Sequence, residues 1–275
     1  MVTDRRDPPI GGLDLDLGFT IGLGMAFEEG VAWAGDHGFD HVELLLDGQY
    51  ARPRIEDRCD SMRETLSSAG VGLVVHLPFS VQIGSPFAPV REGVVAEFTA
   101  GMDLAADLGA STVVFHPSSS AWDRGWTSAE RLPFVHDALD DLVPAALDRG
   151  LEPCLENVVS GSYDVRAFPE LLAQYPGASM TFDTSHALLA GVDEPEMADF
   201  CRTYADRIAH LHLVDTRGDV DEHLPIGMGR IDFGTVLSGL AEASWSGTAA
   251  LEIDTEDYAT IALGRRNLEG LLGTD

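Results

Sequence analysis

The chain has 275 residues, a formal net charge of −29, an isoelectric point near 4.3 and no lysine, all 17 basic residues being arginine. Without lysine there is no Schiff-base chemistry and no P-loop, and so acidic a surface argues against nonspecific nucleic-acid binding, which needs cations to neutralise phosphates. Such a coat suits a protein kept in solution at very high salt, where screening shortens to a few ångströms and self-repulsion is weak, so a halophilic protein is expected.

The length suits one domain the size of an eight-fold α/β barrel, about 250 residues. Residues 1–12, MVTDRRDPPIGG, combine charges and prolines without an apolar segment, so a disordered stretch is expected there and one barrel domain over 13–275. No apolar run approaches the roughly 18 residues of a membrane span, so no membrane partner and a cytoplasmic location are expected. Cys59, Cys154 and Cys201 lie far apart without CxxC spacing, which fits free thiols in a reducing compartment, with Cys154 in the core.

In chain order, short apolar runs read as strands at 16–22, 40–46, 71–77, 111–116, 151–157, 178–183, 208–214 and 248–253, with amphipathic stretches between them. The stretch VREGVVAEFTAGMDLAADLG ends at Gly109 and AERLPFVHDALDDLVPAALDRG at Gly150, where a glycine can stop a helix. Eight alternations admit an open doubly wound sheet or a closed barrel. The open sheet would gather ligand groups at one switch point behind a glycine-rich turn, whereas here polar residues end strands three to eight. The reading is an α/β fold, a single (β/α)8 TIM barrel whose C-terminal rim collects those residues.

Six of the runs end on an imidazole or a carboxylate: VVHLP at His76, VVFHP at His116, CLEN at Glu156, TFDTSH at Asp183, HLHLVD at His212 and LEID at Glu252. Their spacings of 40, 40, 27, 29 and 40 residues fit a strand, a helix and two loops. His186 follows Asp183 by three residues, and Asp221 and His223 lie two apart after strand seven. Nine such groups on one rim would be costly to desolvate without a cation, so a divalent ion (Mn, Co, Mg or Zn) is expected among them. His37, His41 and His136 lie in or beside predicted helices and are expected to face solvent, while His210, one layer below His212, is expected to orient a ligand.

These residues resemble the xylose-isomerase-like TIM barrel superfamily over nearly the whole chain. It joins sugar and sugar-phosphate isomerases and epimerases with apurinic endonucleases of the endonuclease IV type. Both branches imply a metal held by Glu156, Asp183, His212 and Glu252. The endonuclease branch implies up to three zinc ions, with His76, His116, His186, Asp221 and His223 as additional ligands. Departures from that branch favour the other: HVELLLDGQYARPR, with Glu43 near the mouth, stands where the endonucleases carry a basic DNA-penetrating loop, and the segment after strand seven lacks their Asn-Asp-Ser-Lys opening.

The expected function is therefore metal-dependent sugar or sugar-phosphate isomerisation or epimerisation, with Glu156 and Glu252 passing a proton at the carbon next to a carbonyl. His186, Arg217, Glu43 and Trp122 are the expected substrate contacts. The alternative is zinc-dependent phosphodiester hydrolysis on abasic DNA, with Arg52, Arg54, Arg124 and Arg217 as the few candidate phosphate contacts and Trp122 and Trp126 as candidate stacking residues. A noncatalytic metal-binding barrel is a third reading. A carbohydrate partner is expected, DNA only in the alternative, and a homo-oligomer is compatible with either.

Overall fold

The computed structural model describes residues 10–11, 13–159 and 163–274. The disorder expected over 1–12 falls largely on 1–9 and 12, outside the described residues. All eight expected strands form: β1 (Asp14–Ile21), β2 (His41–Leu45), β3 (Gly72–His76), β4 (Thr112–Phe115), β5 (Glu152–Glu156), β6 (Ser179–Asp183), β7 (Ile208–His212) and β8 (Ser246–Leu251). Each pairs in parallel with the next, and β8 pairs with β1, which closes the barrel. The helices are α1 (Phe27–Asp36), α2 (Arg52–Ile55), α3 (Cys59–Ala69), α4 (Ala88–Leu108), α5 (Ser128–Asp148), α6 (Phe168–Gln174), α7 (Thr184–Leu189), α8 (Glu194–Tyr204), α9 (Phe233–Glu242) and α10 (Tyr258–Leu272). Among the described residues no helix is long and apolar enough to cross a membrane.

Local sequence explains the ends. Helix α4 stops at Gly109, whose φ of 87° sits in the left-handed region that other residues avoid. Helix α5 starts on a capping box: the Thr127 hydroxyl accepts from the Glu130 N–H, and the Glu130 carboxylate accepts from the Thr127 N–H at 2.9 Å.

Alternation along the strands sorts two layers. Phe19, Val42, Leu73, Val75, Val113, Phe115, Leu155, Phe182, Leu211 and Leu251 face the helices and join the large outer core. The residues between them fill the barrel, where Val74, Val114 and Cys154 form a small apolar plug. Cys154 and Cys201 are buried free thiols and Cys59 is a half-buried one. Where β6 meets β7 the register shifts, Met180 opposing Ile208 and Thr181 opposing His210. That bulge lets Ile208 pack outward while His210 and His212 turn into the barrel.

Candidate metal centre

Strand ends bring the expected ligands to one mouth. Glu156 lies at its centre, 1% exposed. Its Oε2 is 3.1 Å from His76 Nε2 and 3.0 Å from His116 Nε2, while its Oε1 is 3.1 Å from His186 Nδ1 and 3.4 Å from His212 Nδ1. His212 Nδ1 is also 3.2 Å from Glu252 Oε2 and 3.8 Å from Asp183 Oδ2. Among the described residues three groups of ligand atoms gather within 4.8 Å: His76/His116/Glu156 and Glu156/Asp183/His212/Glu252 at this mouth, and Glu43/His210/His212 one layer below. His186, Asp221 and His223 are linked differently: each imidazole Nε2 lies 3.0 Å from the same Asp221 Oδ2, and the three are not among those groups.

The way the imidazoles are tied tests whether a cation fits. His76 Nδ1 donates to the Leu77 carbonyl at 2.7 Å, so its Nε2 carries the lone pair, and that lone pair points at a carboxylate oxygen. His212 Nε2 donates to Glu43 Oε2 at 3.1 Å, which turns Nδ1 to three carboxylates. Two acceptors facing each other at this distance repel, and either an added proton or a cation between them relieves it. His116 Nε2, His212 Nδ1, Asp183 Oδ2 and Glu252 Oε2 are buried and make no hydrogen bond despite these short separations. Zinc with ligands at about 2.0–2.2 Å in a tetrahedron needs donor atoms roughly 3.3–3.6 Å apart, and the observed separations run from 3.0 to 3.8 Å, within a few tenths of an ångström of that. The residues fit a divalent ion with nitrogen and oxygen ligands.

The charges point the same way. Burial pushes the Asp183 carboxyl up to about 7; His186 pulls against this, and Glu156 and Glu252 reinforce it. Burial would also raise Glu156, but His116 and His212 hold it well below the usual carboxylate range. For His223 burial favours the neutral ring, yet the Asp221 hydrogen bond and the Glu252 charge push it up to about 10. Carboxylates this crowded depend on positive charge beside them.

Above the ligands is a cavity of about 330 Å³, at the small end for ligand pockets. Its lining combines the polar His76, His116, Glu156, His186, Asp221, His223 and Glu252 with the apolar Ile21, Leu23, Leu45, Phe79 and Ile253. Among the described residues no arginine lines it.

Three of the expected substrate contacts are not in this cavity. Glu43 is fully buried: Leu45 pairs with His76 and Glu43 with Val74, so on β2 the rim position is Leu45 and Glu43 lies one layer below. Arg217 is bound to Glu222 with its side chain 61% exposed, and Trp122 is 64% exposed over a separate depression, with Arg124 5.5 Å from its ring. His186 does line the cavity.

The other histidines divide. His37 is exposed and stacks on Trp33, as expected. His41 is not at the surface: it begins β2, two residues before Glu43, and is therefore inside the barrel, 4% exposed, where Gly18 leaves it room. Burial, with the His210 charge, lowers it to about 3. His136 bridges Tyr163 and Tyr175, half-buried, because α5 turns that face toward α6 and its flanks. His210 donates to Glu43 Oε2 at 3.0 Å and so touches His212 through that carboxylate.

Two residues that the spacing did not single out shape the mouth. The Asn157 side chain spans the Asp183 backbone, accepting from its N–H at 2.8 Å and donating to its carbonyl at 3.0 Å, while the Asn157 carbonyl meets His186 Nδ1 at 2.9 Å. Asp215 binds four backbone N–H groups of the loop that carries Asp221 and His223. An asparagine directly after a ligand, and an aspartate opening a glycine-rich loop, were the available signals.

A family model for the xylose isomerase-like TIM barrel matches residues 31–271. The chain is 30% identical over 227 residues to an uncharacterized protein of Methanocaldococcus jannaschii, covering 79% of this chain and 75% of that one. It is 25% identical over 223 residues to a probable endonuclease 4 of Mycobacterium leprae, covering 77% and 84%. Among solved structures, a D-tagatose 3-epimerase-like protein superposes with a TM-score of 0.80 at 25% identity, over 94% of this chain and 97% of that one.

Proposed function

Because the chain belongs to the xylose isomerase-like TIM barrel family, we propose that it is a divalent-metal-dependent isomerase or epimerase of a small, uncharged sugar. The observation that carries this reading is a small cavity lined by Glu156 and Glu252, members of one ligand group, and by no arginine among the described residues. A phosphorylated sugar would bring two negative charges to a lining that already holds carboxylates, with no guanidinium to receive them. The apolar lining of Leu23, Leu45, Phe79 and Ile253 suits the carbon skeleton instead.

Glu156, Asp183, His212 and Glu252 would hold the ion. When bound, it supplies Lewis acidity to adjacent carbonyl and hydroxyl oxygens and so acidifies the C–H beside the carbonyl. Glu252, the more exposed of the two glutamates, keeps Oε2 among the ligand atoms and offers Oε1 to a substrate proton. Glu156 receives or returns the proton on the other side. His186, braced by the Asn157 carbonyl, orients a substrate hydroxyl.

A second reading, zinc-dependent phosphodiester hydrolysis, is favoured by one observation: Glu156 is shared between two ligand groups, as a bridging carboxylate would be. Two of the four candidate arginines tell against it. Arg52 is held by Glu56 and Glu97, and Arg217 by Glu222, so neither is free for a phosphate. Incubating the metal-loaded protein with neutral ketoses and with their phosphates, and separating the products, tests the proposal. Conversion of neutral sugars is expected; conversion of neither, with nicking of an abasic duplex, refutes it.

A further inference from the structure

We infer that Glu43 is a positioning residue that dictates which nitrogen His212 presents to the metal, an inference that rests on the metal-binding reading above. Glu43 enters the barrel from β2 and is fully buried. Its Oε2 receives both His210 Nε2 at 3.0 Å and His212 Nε2 at 3.1 Å, across 167 and 169 residues of sequence. His210 is held from behind, its Nδ1 2.6 Å from the Thr248 hydroxyl. Its Oε2 is therefore held between two rings from one strand.

The chemistry follows from what each atom can do. A carboxylate only accepts, so both imidazoles place their protons on Nε2. For His212 this leaves the Nδ1 lone pair, 3.2 Å from Glu252 Oε2 and 3.4 Å from Glu156 Oε1, as the ligand atom. The negative charge behind the ring also makes that nitrogen a stronger donor, as carboxylates behind metal-bound histidines do. Glu43 thus acts on the metal through His212 and touches neither the cavity nor the substrate.

Glu43→Leu fills the same space with no acceptor, so nothing holds either imidazole proton on Nε2, whereas in Glu43→Gln the amide oxygen could still accept from both rings at the Oε2 position. Zinc affinity, measured by competition with a chromophoric chelator, is expected to fall 10- to 100-fold. In a long-range 1H–15N spectrum, the zinc-loaded wild-type protein is expected to show His212 ligated through Nδ1 with its proton on Nε2, and Glu43→Leu to lose that pattern. Ligation through Nε2 in the wild-type protein, or an affinity and a spectrum unchanged in Glu43→Leu, overturns the inference. The wild-type spectrum decides even where the variant does not fold. A wild-type protein that takes up no zinc overturns the metal-binding reading, and this inference with it.

Discussion

Replacing Asp215 by asparagine tests how the β7 loop holds its ligands. Asp215 is fully buried; Oδ1 accepts from the Thr216 N–H at 2.8 Å and the Ile231 N–H at 3.1 Å, and Oδ2 from the Gly227 N–H at 2.9 Å and the Gly229 N–H at 2.8 Å. Gly229 sits so close that a Cβ there would lie 2.3 Å from Asp215 Oδ1. An asparagine fills the same space, but in either orientation its NH2 faces two of the four N–H groups. Two hydrogen bonds to a charged acceptor, each contributing about 1.5–3 kcal/mol, are lost, for a total of about 3–6 kcal/mol. The loop can recover part of this by opening to water, and opening carries Asp221 and His223 away from His186. Urea denaturation of the metal-free protein is expected to show the stability loss, and the variant to bind its metal more weakly in chelator competition. A loss below about 1 kcal/mol with unchanged metal binding would refute the argument.

Three further outcomes follow from the site. Glu252→Gln keeps the side chain's shape but not its base, so kcat is expected to fall about 10²–10⁴-fold in steady-state assays; unchanged turnover would place the proton transfer elsewhere. Arg217→Ala is expected to change kcat/KM less than about two-fold, because that side chain is exposed and paired with Glu222, and a loss near 1.4 kcal/mol of transition-state binding, roughly ten-fold, would restore Arg217 as a substrate contact. Gly18→Ala puts a Cβ 2.4 Å from the buried His41 ring and 2.6 Å from its carbonyl oxygen, so thermal and urea unfolding are expected to show destabilisation of about 1–3 kcal/mol. A neutral effect would mean that the barrel floor is looser than its packing indicates.

The barrel was legible because parallel strands and helices alternate with different periods and glycines mark helix ends, as at Gly109. The ligands were legible because a strand's last inward residue is fixed by its length: His76, Glu156, Asp183 and His212 each close a strand, and His116 and Glu252 lie one residue beyond. Depth was not legible. Which residue of β2 reaches the rim depends on register with β3, and pairing Leu45 with His76 puts Glu43 a layer down and His41 deeper still. Nor does a loop have a period from which direction can be read, which is why Arg217 and Trp122 turn away from the cavity unannounced. Buried partnerships such as Glu43 with His210 and His212 join residues more than 160 apart and exist only once the barrel has closed.

The central claim, proton transfer by Glu156 and Glu252 beside a bound divalent ion, is tested most directly by exchange. The metal-loaded protein is incubated in D2O with neutral ketoses, and deuterium on carbon is followed by NMR. The account predicts deuterium at the carbon next to the carbonyl, lost on chelation and in Glu252→Gln. No incorporation into any ketose, with metal-dependent cleavage of an abasic duplex by the same preparation, would contradict it.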